Sequence, residues 1–178
     1  NFNLEVGSGT HAEQTGAVMI AYEKILMKAP PRATIVVGDV NSTVACTLAA
    51  KKLCIPVCHL EAGLRSRDPQ MPEEINRIVT DAISDILWTP SLDGNENLLK
   101  EGVDPDRITF VGNIMMDSYE LMRTQIEAKT TRTELDLEKN MYGVVTLHRP
   151  SNVDTKEILV SLVDALKSSA TKIPLVLP

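Results

Sequence analysis

The chain has 178 residues, 43% of them hydrophobic and 24% charged, which are values of a globular protein and exclude a disordered chain. Its formal net charge of −6 argues against a general nucleic-acid binder, and no run approaches the roughly 18 apolar residues that a membrane span requires. An acidic total still allows an anionic small ligand, provided that arginines and helix amino termini converge locally.

Taken in order, helix-like and strand-like patterns alternate. A helical run over Ala12–Lys28 is followed by an apolar strand over Ala33–Gly38, a helix over Thr43–Leu53 and a strand over Pro56–Leu60. Next come a helix over Pro72–Ser84, a strand over Ile86–Thr89, a helix over Leu92–Glu101, a strand over Ile108–Val111 and a helix over Met115–Glu127. After a polar stretch without a stripe, a strand over Gly143–Leu147, a helix over Thr155–Ser169 and a strand over Pro174–Leu177 complete the series. Short Val- and Ile-rich strands spaced by helices of ten or more residues indicate repeated βαβ units, so the expected class is α/β with doubly wound parallel sheets. The lapse after residue 128 suggests a domain boundary: a first domain over 1–128, a linker over 129–140 and the opening of a second domain over 141–178. Because the chain opens on Asn1 rather than Met and ends on Ile-Pro-Leu-Val-Leu-Pro as a strand is being made, it reads as an internal fragment.

Within the helix over Pro72–Ser84, Ile75, Ile78, Val79, Ala82 and Ile83 repeat at three and four residues, a stripe expected to face the sheet, with Glu73, Arg77 and Asp81 opposite. Pro72 suits the first helical position, and Glu73 and Glu74 sit well at the positive end of the helix dipole. The three cysteines, Cys46, Cys54 and Cys58, stand among apolar neighbours and read as buried thiols in a reducing, cytoplasmic setting. No metal-ligand spacing is present, since the histidines are isolated.

The chemistry-bearing residues gather where strands should end. Asp39 follows Ile-Val-Val-Gly and precedes a helix that Asn41 or Ser42 can cap, so its carboxylate is free to project over the carboxyl edge of the sheet, the edge at which open α/β sheets bind ligands. It could also be the phosphate-accepting aspartate of a receiver-like domain, but that module needs further acids near its first strand. Glu61 ends the strand Pro-Val-Cys-His-Leu, where a carboxylate must have a partner or a chemical task, and Arg65 is near enough in sequence to pair with it. Glu73 and Arg77 are one turn apart, as in an ordinary surface ion pair, while the short connection Ser66–Met71 brings their helix close to Glu61. His148 and Arg149 end the next domain's first strand, ahead of Asn152; a histidine there can exchange a proton near neutrality and an arginine can fork onto phosphate. His59 reads as a satisfied core histidine, and His11, after Gly-Ser-Gly-Thr, stands at a helix start that could receive phosphate or ribose.

Gly38-Asp39, His59-Leu60-Glu61-Ala62-Gly63-Leu64-Arg65, Pro72-Glu73-Glu74-Ile75-Asn76-Arg77, Val111-Gly112-Asn113 with Asp117, and Thr146-Leu147-His148-Arg149 resemble, in this order, the non-hydrolysing UDP-N-acetylglucosamine 2-epimerases of bacteria and archaea. The resemblance implies two Rossmann-like domains in the glycosyltransferase-B arrangement, both incomplete here, with the sugar nucleotide in the cleft between them. It further implies interconversion of UDP-GlcNAc and UDP-ManNAc by elimination and re-addition of UDP, without cofactor or metal, in a homodimer that serves surface polysaccharide synthesis. Asp39, Glu61, Glu73 and His148 would then be the acid–base group, and Arg65, Arg77, Arg149 and Asn152 the substrate contacts. The chain departs from that family at Ser151, where better-known members carry Glu, and it lacks their Gly-Thr-Arg-Pro-Glu strand and most of the second domain, so these residues alone are expected to be inactive. Two alternatives remain: a hydrolysing relative that releases UDP and ManNAc, and a UDP-sugar-binding protein without catalysis.

Overall fold

The computed structural model describes residues 2–147 and 150–178, and of Pro150 and Ser151 the backbone only; His148 and Arg149 lie outside the described residues. The chain divides into two compact units, Asn1–Tyr119 and Glu120–Pro178. The first contains α1 (His11–Lys28), β1 (Thr34–Val37), α2 (Asn41–Lys52), β2 (Val57–Leu60), α3 (Pro72–Ile83), β3 (Ile86–Thr89), α4 (Leu92–Lys100) and β4 (Ile108–Phe110). The division falls inside α5 (Ile114–Glu127). In the second unit, a short α6 (Thr131–Glu134) stands in the stretch expected as linker, followed by β5 (Gly143–Val144), α7 (Pro150–Val153), α8 (Lys156–Ala170) and β6 (Leu175–Val176). There, β5 and β6 pair in parallel across one helical crossover.

The fold is α/β with parallel sheets. Strands β1 to β4 pair in parallel and in sequence order, each with the next. Right-handed crossovers that always step to the next strand in one direction place their helices on one face. On that face Thr34, Val36, Val57, His59, Leu87 and Thr89 are all buried. Leu26 of α1 and Ala49 and Ala50 of α2 pack with Val36, Ile55 and Val57, and Leu98 of α4 packs with Ala62 and Leu87. The other face is open: Ile35, Val37 and Ile86 are 60%, 47% and 40% exposed, although parallel sheets are ordinarily covered on both sides. No reversal of strand order occurs in this sheet, so the described residues carry one winding of it.

Helix α3 corrects the sequence-based expectation. Its apolar stripe does not face the sheet: Ile75 is 54% and Ile78 45% exposed, whereas Glu74, Thr80 and Asp81 are buried. The inward face is polar because buried groups beneath it need acids as partners. The cysteines are also unlike one another, since only Cys58 is buried, Cys46 is half-buried and Cys54 is exposed. Burial alone pushes the Cys46 thiol up to about 11, which keeps it protonated at neutral pH. Nor does Asn41 or Ser42 cap α2. Val40 holds the cap position without a side-chain bond, and Asn41 is already helical.

Gly63 is the tightest point of the first unit. Its φ is +80°, and a Cβ there would overlap the backbone of Gly94 at the start of α4. A left-handed backbone costs a non-glycine residue roughly 1–2 kcal/mol before any clash. Gly63→Ala is therefore expected to lower unfolding free energy by about 2 kcal/mol or more, measured by urea denaturation, whereas Gly16→Ala, in open space within α1, should cost nothing measurable.

Candidate functional site

The carboxyl ends of β1 and β2 lie side by side, joined by the Gly38 amide donating to the Leu60 carbonyl at 3.0 Å. Both turns that follow are left-handed, with φ of +67° at Gly38 and +71° at Glu61. Glycine tolerates this, but glutamate does not favour it, and such outliers cluster where function demands a position. Gly38 leaves space for its neighbour: a Cβ there would stand 3.5 Å from the Glu61 carboxylate. Asp39 and Glu61 thus leave adjacent strand ends at the edge where ligands bind.

The amino terminus of α3 closes over this edge. The Asn76 amide donates to the Asp39 carbonyl at 2.9 Å, and the Arg77 guanidinium pairs with the Asp39 carboxylate. The other arm of Arg77 reaches Glu74 at 3.0 Å rather than Glu73, so the expected Glu73–Arg77 pair is replaced by a bridge from Glu74 to Asp39. Glu74 also accepts the amides of Ser66 and Arg67, both at 2.9 Å, which ties the loop after Glu61 to α3. Burial pulls the Glu74 carboxyl upward, but those amides and the Arg77 charge outweigh it and hold it below the usual carboxylate range.

Beneath the loop a chain of ionisable groups runs from the buried His59 out to the exposed Glu101. His59, wholly inaccessible, has Nδ1 2.6 Å from Asp81 and Nε2 2.8 Å from the Gly38 carbonyl. Asp81, 1% exposed, accepts the Gly63 amide at 3.0 Å and Arg65 at 2.7 Å. Arg65 then forks onto Glu101 at 2.8 and 2.6 Å. Burial opposes its charge, yet the bonds to Glu101 and Asp81 prevail and raise the guanidinium pKa further. The sequence spacing suggests a Glu61–Arg65 pair; the structure instead spends Arg65 on Asp81 and Glu101.

Glu61 and Glu73, by contrast, meet no hydrogen-bonding partner among the described residues, and both are half-buried. Glu73 lines a cavity of about 330 Å³ with His11, Gln14, Asn41, Ser42 and Asn76. Asn41 links its walls, standing 3.1 Å from His11 and donating to Gln14 at 2.9 Å. The first helix starts with a capping box between Thr10 and Glu13, which presents His11 at this cavity. Asn152 lies in α7 of the second unit, half-buried, while His148 and Arg149 are outside the described residues. In the sequence Glu74 stands out only as a helix-start acid and Asp81 only as part of the polar face of its helix, and Glu101 carries no signal. The first two could have been found, for they are seven residues apart and so share a helix face with each other rather than with the apolar stripe. Among the described residues no His, Cys, Asp or Glu group could hold a metal, and no helix is long and apolar enough to cross a membrane.

The UDP-N-acetylglucosamine 2-epimerase family model matches residues 1–178. The chain belongs to the UDP-N-acetylglucosamine 2-epimerase family. It is 45% identical over 175 residues to a UDP-N-acetylglucosamine 2-epimerase homolog of Methanococcus maripaludis, covering 97% of this chain and 49% of that one. It is 39% identical to the UDP-2,3-diacetamido-2,3-dideoxy-D-glucuronate 2-epimerase of Pseudomonas aeruginosa, covering 100% of this chain and 50% of the relative. The crystal structure of Methanocaldococcus jannaschii UDP-GlcNAc 2-epimerase in complex with UDP-GlcNAc and UDP superposes with a TM-score of 0.88 at 40% identity, over 99% of this chain and 50% of that one. The chain therefore spans about half the length of the curated relatives it matches.

In this member of the epimerase family, Glu74 holds the loop that follows Glu61, and its effect depends on pH with a definite sign. An unfolded glutamate titrates near 4.3, and the folded carboxyl titrates lower, so the stabilisation is complete above the unfolded value and lost as pH falls through the folded one. Glu74→Gln should cost about 1–3 kcal/mol at pH 7. In urea denaturation series the difference from the parent should shrink steadily as the pH is lowered below 4.

Proposed function

We propose that the first domain of this chain, residues 1–128, forms one wall of the sugar-nucleotide cleft of an enzyme that interconverts UDP-GlcNAc and UDP-ManNAc. The observation that carries this is the pair of carboxylates, Glu61 and Glu73, that meet no hydrogen-bonding partner among the described residues, together with an aspartate ion-paired to Arg77. Family membership supplies the substrate class, and the M. jannaschii relative was crystallised with UDP-GlcNAc and UDP.

The division among the acids suits an elimination and re-addition. Carbon 2 of the sugar bears a weakly acidic proton, and its removal needs a positioned, ionised carboxylate. Glu61 and Glu73 are the groups proposed for that, one taking the proton and the other returning it. Asp39, bound to Arg77, is suited to orienting and to balancing charge as the UDP oxygens depart, with Arg77 as the nearest cation. Arg65 has its donors on Asp81 and Glu101 and belongs to the support of the wall rather than to substrate contact. His148, Arg149 and Asn152 remain proposed for the facing wall on their sequence motif. The route requires neither nicotinamide nor metal.

The same reading includes two Rossmann-like domains in the glycosyltransferase-B arrangement, the first over residues 1–128, a linker over 129–140 and the second from 141, with about half the polypeptide beyond these residues. Support comes from the uncovered sheet face around Ile35, Val37 and Ile86, which a second winding would bury, and from the half-length match to relatives. A cytoplasmic role in surface polysaccharide synthesis and a homodimer complete it; the outward stripe of Ile75 and Ile78 on α3 fits a self-complementary contact with a second copy. The P. aeruginosa relative favours a second reading, in which the sugar carries further acetamido and carboxylate groups.

Proton NMR of the products from the full-length polypeptide tests this. UDP-ManNAc from UDP-GlcNAc is the expected result; free ManNAc would indicate the hydrolysing reaction, binding without conversion a sensor, and turnover of only the diacetamido-glucuronate substrate the second reading. Glu61→Gln should lower kcat by roughly 10²–10⁴-fold. Ile78→Glu should reduce the molecular mass in size-exclusion light scattering from dimer to monomer.

A further inference from the structure

His59 is the one wholly buried histidine among the described residues, and both of its ring nitrogens face acceptors. The Gly38 carbonyl can only accept, so Nε2 must carry a hydrogen. Asp81 receives the Gly63 amide and the Arg65 guanidinium on Oδ2, which leaves Oδ1 facing Nδ1 of His59 at 2.6 Å. His59, Asp81 and Arg65 are buried in one chain of contacts, and Arg65 carries it out to Glu101, whose side chain is 42% exposed.

We infer that His59 is held as an imidazolium and serves as a positioning residue that sets the separation of Asp39 and Glu61. Its Nε2 grips the carbonyl of Gly38, immediately before Asp39, where the backbone is left-handed. Through Nδ1 and Asp81 it holds the Gly63 amide, two residues after Glu61, whose own backbone is left-handed as well. One side chain therefore ties both turns together, while Arg77 and Asn76 hold Asp39 from α3. Glu61 has no bond of its own among the described residues, so its place depends on this backbone support. A displacement of about 1 Å in a reacting group can cost on the order of 10²-fold in rate.

The inference rests on the epimerase reading for its kinetic part, but not for its chemical part. In full-length protein labelled with ¹⁵N-histidine, the His59 signals, identified by their loss in His59→Gln, should show both ring nitrogens protonated at pH 7. A ring with one bare nitrogen overturns the inference, whatever the protein catalyses. In kinetics with UDP-GlcNAc, His59→Asn keeps a donor toward Asp81 and loses the one toward Gly38, while His59→Gln keeps a donor at the Gly38 end. kcat per folded molecule should fall about 10²-fold in His59→Asn, with KM within about threefold of the parent, and be partly restored in His59→Gln. Unchanged kcat in folded His59→Asn, with only a lowered Tm, overturns the positioning role. If the parent protein does not turn over UDP-GlcNAc, the epimerase reading fails and the kinetic part with it, while the nitrogen measurement still decides the imidazolium. If neither variant folds, ¹⁵N-labelled parent protein decides it, with His59 identified through its contact to Asp81.

Discussion

A carboxylate taken out of water must be compensated on every side, and Asp81 is the carboxylate around which the first unit is arranged. It sits on the buried face of α3 and meets His59 of β2, the Gly63 amide of the loop and Arg65. Each partner is then obliged to stand where it does. His59 lies under the sheet edge, Gly63 approaches α4 too closely for any side chain, and Arg65 turns inward to Glu101 instead of toward solvent. The left-handed backbone at Glu61 is a consequence of the same closure, since the chain must leave β2 and bring the Gly63 amide onto Asp81 within two residues.

That requirement also explains the inverted helix. A stripe of Ile and Val on α3 ordinarily seeks the core, and burying it would be worth about 25 cal/mol per Å² of apolar surface. Facing it inward would leave His59, Arg65 and the Ser66 and Arg67 amides without acids, each an unpaired buried polar group costing about 1–3 kcal/mol or more. The charged face wins because several such penalties outweigh one helix's apolar gain. Its cost is an outward apolar band, which, like the open sheet face, calls for a covering surface.

The acids divide into those that build the wall and those left free on it. Glu74 and Asp81 are each bound by several partners and Glu101 by the fork of Arg65, and Glu74 is kept ionised by amides and a guanidinium even though burial opposes it. Asp39 is partly bound, through Arg77. Glu61, at the end of β2, and Glu73, in the first turn of α3, meet no hydrogen-bonding partner among the described residues. Rigid placement with unsatisfied hydrogen-bonding capacity is what a proton-transfer group needs, because a partner already present would have to be displaced before a substrate could enter.

The alternation of elements and the class of the fold were legible in the sequence, because burial of parallel strands demands continuous Val and Ile runs and the helices between them carry their own periodicity. The position of Asp39 and Glu61 at strand ends was legible for the same reason, being a matter of where an apolar run stops. The partners of Arg65 and Arg77 were not, because nearness in sequence offered Glu61 and Glu73, while the closure of the loop onto α3 brought Asp81, Glu101, Glu74 and Asp39 instead. Which face of α3 turns inward was likewise undecided by its amphipathic pattern, since a helix with one apolar and one charged face can bury either. Local order thus followed from the sequence through backbone and periodicity, whereas the charge pairing was decided only in the tertiary structure, where desolvation makes every buried ion take the nearest counter-charge in space.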